Sequence, residues 1–588
     1  MQGFHIWSIA KYEIKTLTRS WFFRIFGILA LVVLFFFNLV VQTDVGGSGD
    51  WDLTILPAGI PYRNLLILNM AQAIIAAFLA SDFLRRDKKL DSTEVIYMRS
   101  MSNVDYVLGK TLGNLIVFIG LNLVVVLMVA IFNLISKTTG IDAMAYLQYL
   151  LYLSIPTLVF IMGLSFLLMS VIRNQGITFI LLLGYIALTV FYLKGKVFYL
   201  FGQRAYNGPM MKSDMAGFGN IQEVLIHRGL YFFLGLGFIF WTIVLLKRLP
   251  QSKPASSLSL ILAILFVGVG VFLGYRHTST YHSDQKLRSL MIELNNEMAG
   301  QPMASVTRHH IRFEHSGHTF RAESKMNLVN MGGQNMDRII LKLNPGLVVE
   351  EITTTDGSLE FERERHIITI REPLLQGDSL ECTISYRGHI DESACYLDMD
   401  EELRLELSEY YQNRQAFVQP GYVLLTPETQ WYPTSGVGYS NANPRWIHAD
   451  FTRFSLEVKA PSHLTAISQG VREETPDGAR FQMDHPMPSL TLILGSYDHL
   501  GMEADSIEYH LMVHPRHDYF MELFPDLKDT IPAIIEARMQ DFERRINLDY
   551  PYQRFKLVEV PVQYESYQHI WAGGFENIQP EIVLIPEM

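Results

Sequence analysis

Seven apolar runs, near residues 22–42, 62–84, 111–135, 147–172, 176–193, 229–246 and 257–275, crowd into the first 275 positions of the chain. About 20 residues of helix cross a hydrocarbon core, and only a helix satisfies its own backbone hydrogen bonds there. Each run is therefore expected to be a spanning helix. The shortest, 176–193, is set off from its predecessor only by Arg173, Asn174 and Gln175. Composition agrees, since 18% of the 588 residues are charged where a soluble chain carries about a quarter.

Charge divides the chain in two. Residues 1–275 hold 21 Lys and Arg against 12 Asp and Glu, whereas 276–588 hold 27 against 47. The acidic half would repel phosphate, which argues against a nucleic-acid partner. With the N-terminus inside, fourteen basic residues fall in inner segments and seven in outer ones, five of the seven within 194–228. The positive-inside rule then predicts a cytoplasmic N-terminus and puts everything after Tyr275 outside. No small-residue cleavage pattern follows the first run, so it reads as a retained helix and not a signal peptide.

Ahead of that run, Trp7, Ile9, Ile14 and Leu17 alternate with Lys11, Lys15 and Arg19, the pattern of a helix lying in the inner interface. After the second run comes dense mixed charge, with Arg85, Arg86, Lys88, Lys89 and Glu94, followed by the apolar positions Val95, Ile96, Met98 and Met101. Such a loop suits a protein partner. Asn69, Gln72, Asn114, Asn122 and Asn133 lie within the runs, where they either pin helices together or line a path. No ionisable residue falls in the middle of a run, which disfavours an ion-coupled carrier.

The interfacial helix and the charged loop ending in Leu108-Gly109-Lys110 resemble those of type-2 ABC exporter permeases over about residues 1–250. The resemblance implies a multi-pass subunit of a bacterial inner membrane that pairs as a dimer. It also implies that Arg85, Arg86, Lys88, Lys89 and Glu94 contact a separate ATPase. Gly109-Lys110-Thr111 lacks the earlier glycine of a phosphate loop, whose place Val104 takes, so no nucleotide site is expected here. The run at 257–275 is left to carry the outer half across.

That outer half opens on a charged helical spacer, 276–305, and then turns to short alternating strands such as 338–344, 366–370, 379–388, 454–461 and 490–498. Turn signals separate them, and the spacing predicts a β-sandwich to about residue 500. A helix at 525–546 and strands near 554–562 and 579–585 close the chain. Cys382 and Cys395 are two thiols of the outer half, either bridged or separately buried. The organisation is mixed: a polytopic helical membrane domain (1–250), a seventh helix with its spacer (251–305), a β-sandwich (306–500), and the beginning of an α+β catalytic domain (501–588).

In Gly573-Gly574-Phe575-Glu576-Asn577 the glycine pair lets a ligand backbone approach, and the carboxylate suits a cationic amine. The ordered segments 336–347, 377–391, 425–433, 450–470 and 485–498, followed by this pentapeptide, resemble the aminopeptidase N family of zinc metallopeptidases across about 305–588. In that family the motif is G-x-M-E-N, and Phe575 replaces the usual Met. The resemblance implies that Glu576 binds a peptide's free α-amine, that Gly573 and Gly574 lie along the peptide backbone, and that Glu428 is a second amine contact.

One departure is decisive for activity. A catalytic zinc takes three protein ligands, two of them supplied in this family by H-E-x-x-H, and none of the eighteen His here precedes a Glu. The expectation is therefore no catalytic residue, no metal ligand and no cofactor in this chain, with zinc only if a catalytic segment lies downstream. The chain alone is expected to hydrolyse nothing. It reads as the front part of a permease–aminopeptidase fusion, as a peptide-binding module that is catalytically dead, or as such a module on a membrane anchor without transport.

Overall fold

The computed structural model describes residues 2–42, 56–81, 102–136, 141–193, 196–202, 212–246, 253–399, 413–437, 450–504, 506–515, 517, 527–569 and 577–587. Helix α1 (Gln2–Arg19) leads into α2 (Trp21–Gln42), α3 (Gly59–Ser81) and α4 (Asn103–Ser136). Helix α5 (Ala143–Tyr149) runs through a π-helical turn (Leu150–Ser154) into α6 (Ile155–Ile172). Then come α7 (Gln175–Phe191), α8 (Ile221–Leu245) and α9 (Lys253–Met298). Among the described residues six helical stretches are long and apolar enough to cross a membrane, whereas α7, with 17 residues, is shorter than that. The seven expected runs all become helices; six have the length of a span.

Large apolar side chains face outward along α2, α4, α7 and α9, with Ile28 64% and Leu127 63% exposed. The interior is held differently. Helices α6 and α8 meet at Gly163 and Gly235, where a Cβ on Gly235 would lie 2.6 Å from the backbone carbonyl of Val159. Only glycine lets two helix backbones come so close. Gly235→Ala is accordingly expected to cost about 2 kcal/mol in thermal or denaturant unfolding. Gly268→Ala, placed in open space, is the control that should cost nothing.

Polar side chains stitch the same bundle. Asn38 and Asn64 pair reciprocally between α2 and α3. Asn69, Gln72, Asn122, Ser154 and Thr157 form one hydrogen-bonded chain through α3, α4, the π turn and α6. The helices extend past the apolar runs and so take in ionisable groups toward their ends, among them the buried Asp105 and Lys110 of α4. Helix α8 begins at Ile221 and takes in Arg228, which is 2% exposed. Its guanidinium donates to the carbonyls of Tyr152, Leu153 and Gly202 and to Thr157 Oγ1. A π turn leaves carbonyls without their usual i+4 donors, and these are the groups an internal arginine can satisfy. The interfacial helix α1 is also more firmly seated than its pattern suggests. Gly109 and Gly113 of α4 pack against Ile9 and Glu13, and Glu13 pairs with Lys110 at 3.2 Å with both side chains buried.

Spacer and seventh helix are one element. Helix α9 runs unbroken for 46 residues and delivers the chain to the β-rich half. There an eight-stranded sheet places 305–316 parallel to 453–459 and antiparallel to 319–329, with 379–388 beyond. Its strands bury alternate residues, as in 319–329, because successive side chains of a strand point to opposite faces. Two four-stranded sheets cover the buried face and share one core with it, centred on Trp431, Phe313 and Phe320. This is the two-layer arrangement the strand spacing predicts. Cys382 and Cys395 are buried and unbridged. A five-stranded sheet follows, in which α10 (Leu527–Ile546) crosses between the parallel strands Ile507–Val513 and Arg554–Val560.

The segment 212–219, between α7 and α8, docks on this last sheet. Glu587 accepts the backbone N–H groups of Asp214 and Met215, and His517 lies between Glu559 (2.7 Å) and Asp214 (3.4 Å). Burial opposes a charge on His517, but the hydrogen bonds and charges of Asp214 and Glu559 hold its imidazolium up to about 10. In the same region Lys212 pairs with Asp142. Thus two of the basic residues that weaken the positive-inside reading, Lys212 and Arg228, are consumed by contacts within the protein.

Candidate functional site

Glu428 sits in a short 3-10 turn, Pro427–Thr429, that follows the buried strand Tyr422–Leu425. Pro427 starts the turn and Thr429 closes it by donating its hydroxyl to the Thr426 carbonyl. Glu428 Oε1 accepts the backbone N–H of Tyr396, and Oε2 lies 3.1 Å from His569 Nε2. The other ring nitrogen, Nδ1, lies 3.0 Å from Asp398 Oδ1. The His569 ring thus bridges Glu428 and Asp398, one nitrogen to each carboxylate. The Tyr396 ring packs on His569 at 5.2 Å and edge-on to Tyr567 at 5.0 Å. Tyr567 donates its backbone N–H to the Tyr396 hydroxyl.

Backbone strain gathers at the same place. Tyr396 and Gln430 have φ of 51° and 50°, left-handed values uncommon for such residues. The left-handed turn at Tyr396 accompanies the contact of its N–H with Glu428, and strain of this kind persists where the surroundings over-determine it. Burial holds the Lys342 ammonium below its usual range, with the charge of Glu428 opposing that shift.

Of the residues singled out from the sequence, Glu428 and Asn577 are described. Asn577 is tied to the last strand, its carbonyl accepting from Leu584 N–H at 2.8 Å. Gly573, Gly574, Phe575 and Glu576 lie outside the described residues, as do Arg85, Arg86, Lys88, Lys89 and Glu94. The described chain enters the pentapeptide from His569, four positions before Gly573, and leaves it at Asn577. Sequence reasoning misses His569 and Asp398. Their only signal is the place of His569 just ahead of the glycine pair, because the cluster joins positions up to 171 apart in the chain.

The described side chains of this cluster do not form a zinc centre. Both nitrogens of His569 are engaged by carboxylates. Among the described residues no group of three or more His, Cys, Asp or Glu is disposed to hold a metal ion. What the cluster offers is two carboxylates, a bridging imidazole and aromatic walls.

No protein-family profile and no curated protein matches the chain. Solved structures similar to it include an M1 zinc metallopeptidase from Deinococcus radiodurans, 12% identical over 49% of this chain and 61% of that one, with a TM-score of 0.33. A mutant of that enzyme bound to a Tyr-Ser-Ala substrate is 14% identical over 46% and 60%, with a TM-score of 0.32. A two-domain M1 zinc metallopeptidase mutant bound to L-arginine is 12% identical over 49% and 61%, with a TM-score of 0.34. The chain thus spans about 61% of the length of the first of these.

Proposed function

We propose that the chain is a membrane-embedded, permease-type subunit whose outer half binds the free amino terminus of a peptide without cleaving it. The outward-facing apolar side chains of α2, α4, α7 and α9 call for lipid around them, with the six long helices and the shorter α7 together making the seven crossings that an inner N-terminus and an outer β-rich half require. Orientation follows the basic loops, with the N-terminus inside. In the outer half, the carrying observation is the Glu428–His569–Asp398 bridge, two carboxylates already arranged around one nitrogen base. An ammonium that takes the place of His569 at Glu428 finds the same acceptor; Glu576, which lies outside the described residues, is the other amine contact that the sequence motif implies. Zinc chemistry has no part in this reading.

The test is binding of a fluorescent tetrapeptide with a free amino terminus to the purified chain, beside its N-acetylated twin. Removing the charge with Glu428→Gln is expected to weaken the free peptide about 10- to 100-fold, the range of a charge-assisted hydrogen bond. Equal binding of the two peptides by the unaltered chain overturns the reading, as does chelator-sensitive release of amino acids. For the helical half the reading is a paired permease that docks an ATPase through Arg85, Arg86, Lys88, Lys89 and Glu94. Co-purification of an ATPase that is lost when these five are replaced supports it; its absence removes the export role and leaves a membrane-anchored binding module.

A further inference from the structure

The wall of the candidate site is built by the segment 392–399, which supplies the Tyr396 N–H to Glu428 and the Asp398 carboxylate to His569. Elements of the helical half grip that short segment at both ends. From one side Arg288 of α9, 3% exposed, donates to the carbonyls of Ser393, Cys395, Tyr396 and Met399. Leu287, Met291 and Ile292 of the same helix pack on Ala394 and Leu397. From the other side Gly219, in the segment leading into α8, accepts from Arg414 at 2.7 Å, and Arg414 pairs with Glu392. A guanidinium is a planar fork, so one arginine meeting four carbonyls defines where each peptide group points.

We infer that Arg288 is the positioning residue of the amine site, setting the Tyr396 N–H and the Asp398 carboxylate from the helix that enters the membrane. The inference rests on the amine-binding reading of Glu428 and adds its regulation: an axial shift or rotation of α9 moves the carbonyl cage and, through it, the groups that hold Glu428 and His569. By linkage, filling the site restrains α9 in return. Neither effect requires Arg288 to touch the peptide.

The experiment uses the full chain in lipid nanodiscs, with Arg288→Gln, Arg288→Lys and, as control, the exposed Lys286→Gln on the same helix. Two quantities are read: the ratio of free-amine to acetylated tetrapeptide affinity, and hydrogen exchange of residues 393–399 without peptide. Arg288→Gln should lower the affinity ratio about tenfold and speed exchange across 393–399, while Lys286→Gln changes neither. Arg288→Lys, with one donor nitrogen, should recover only part of the ratio. A merely structural defect weakens both peptides together and leaves the ratio alone, which overturns the inference. It is equally overturned if Arg288→Gln keeps the ratio of the unaltered chain. A ratio of one in the unaltered chain overturns the amine reading instead, and the exchange of 393–399 then still reports whether Arg288 holds that segment.

Discussion

Arg228→Met is expected to destabilise the helical half by about 4 kcal/mol. Its guanidinium is enclosed by α6, α8 and the π turn and satisfies three backbone carbonyls and one hydroxyl. Methionine fills much of the volume but removes the donor from the Tyr152 and Gly202 carbonyls, at about 1–3 kcal/mol for each one unmet, whereas Leu153 O and Thr157 Oγ1 keep Asn69 Nδ2. Relief from burying a charge offsets part of the sum. Arg228→Lys keeps the charge, offers a single nitrogen and should recover less than half. Denaturant unfolding of the protein in detergent checks this, and a cost below about 1 kcal/mol for Arg228→Met would show that the π turn finds other partners.

Acid should be nearly as damaging to the outer half. His309 is buried between Tyr432 and Phe454, and its burial, with His310 beside it, pushes its imidazole down to about 3. His366, bonded to Asn295 of α9 at 2.8 Å, is lowered to about 3 by burial and then by Lys342, Arg363 and Arg365. Both are neutral when folded and take up a proton when unfolded, near pH 6.5. Their contribution is therefore complete above that value and is lost as pH falls toward 3. At pH 5 the loss is about 2 kcal/mol for each, or about 4 for the pair. Thermal unfolding of the outer half between pH 7 and 5 measures it. His309→Met should flatten the slope by roughly half, and an unchanged slope in that variant refutes the assignment.

The helices were legible because apolar length is a one-dimensional property, and residues 62–84 or 111–135 announce themselves without reference to the rest of the chain. Strands such as Ser379–Gly388 were legible through alternation and bounding turns. Arg228 was not, since hydropathy marks where apolar residues begin, whereas a helix extends as far as its polar groups find partners. Arg288 was hidden for a related reason. Within 276–305 it reads as one more solvated charge, and only the return of the chain at 393–399 turns it inward. Likewise Glu428 was pointed to only by the family resemblance, and Asp398 and His569 meet it through tertiary folding, which no spacing along the chain encodes.

Helix α9 also acts as a ruler. The thirteen residues from Tyr275 to Arg288 cover about 20 Å of helix axis, at 1.5 Å per residue. An unbroken rod keeps that distance constant, so on the proposed reading, with Tyr275 at a bilayer surface, the Arg288 cluster stands at a fixed height above it.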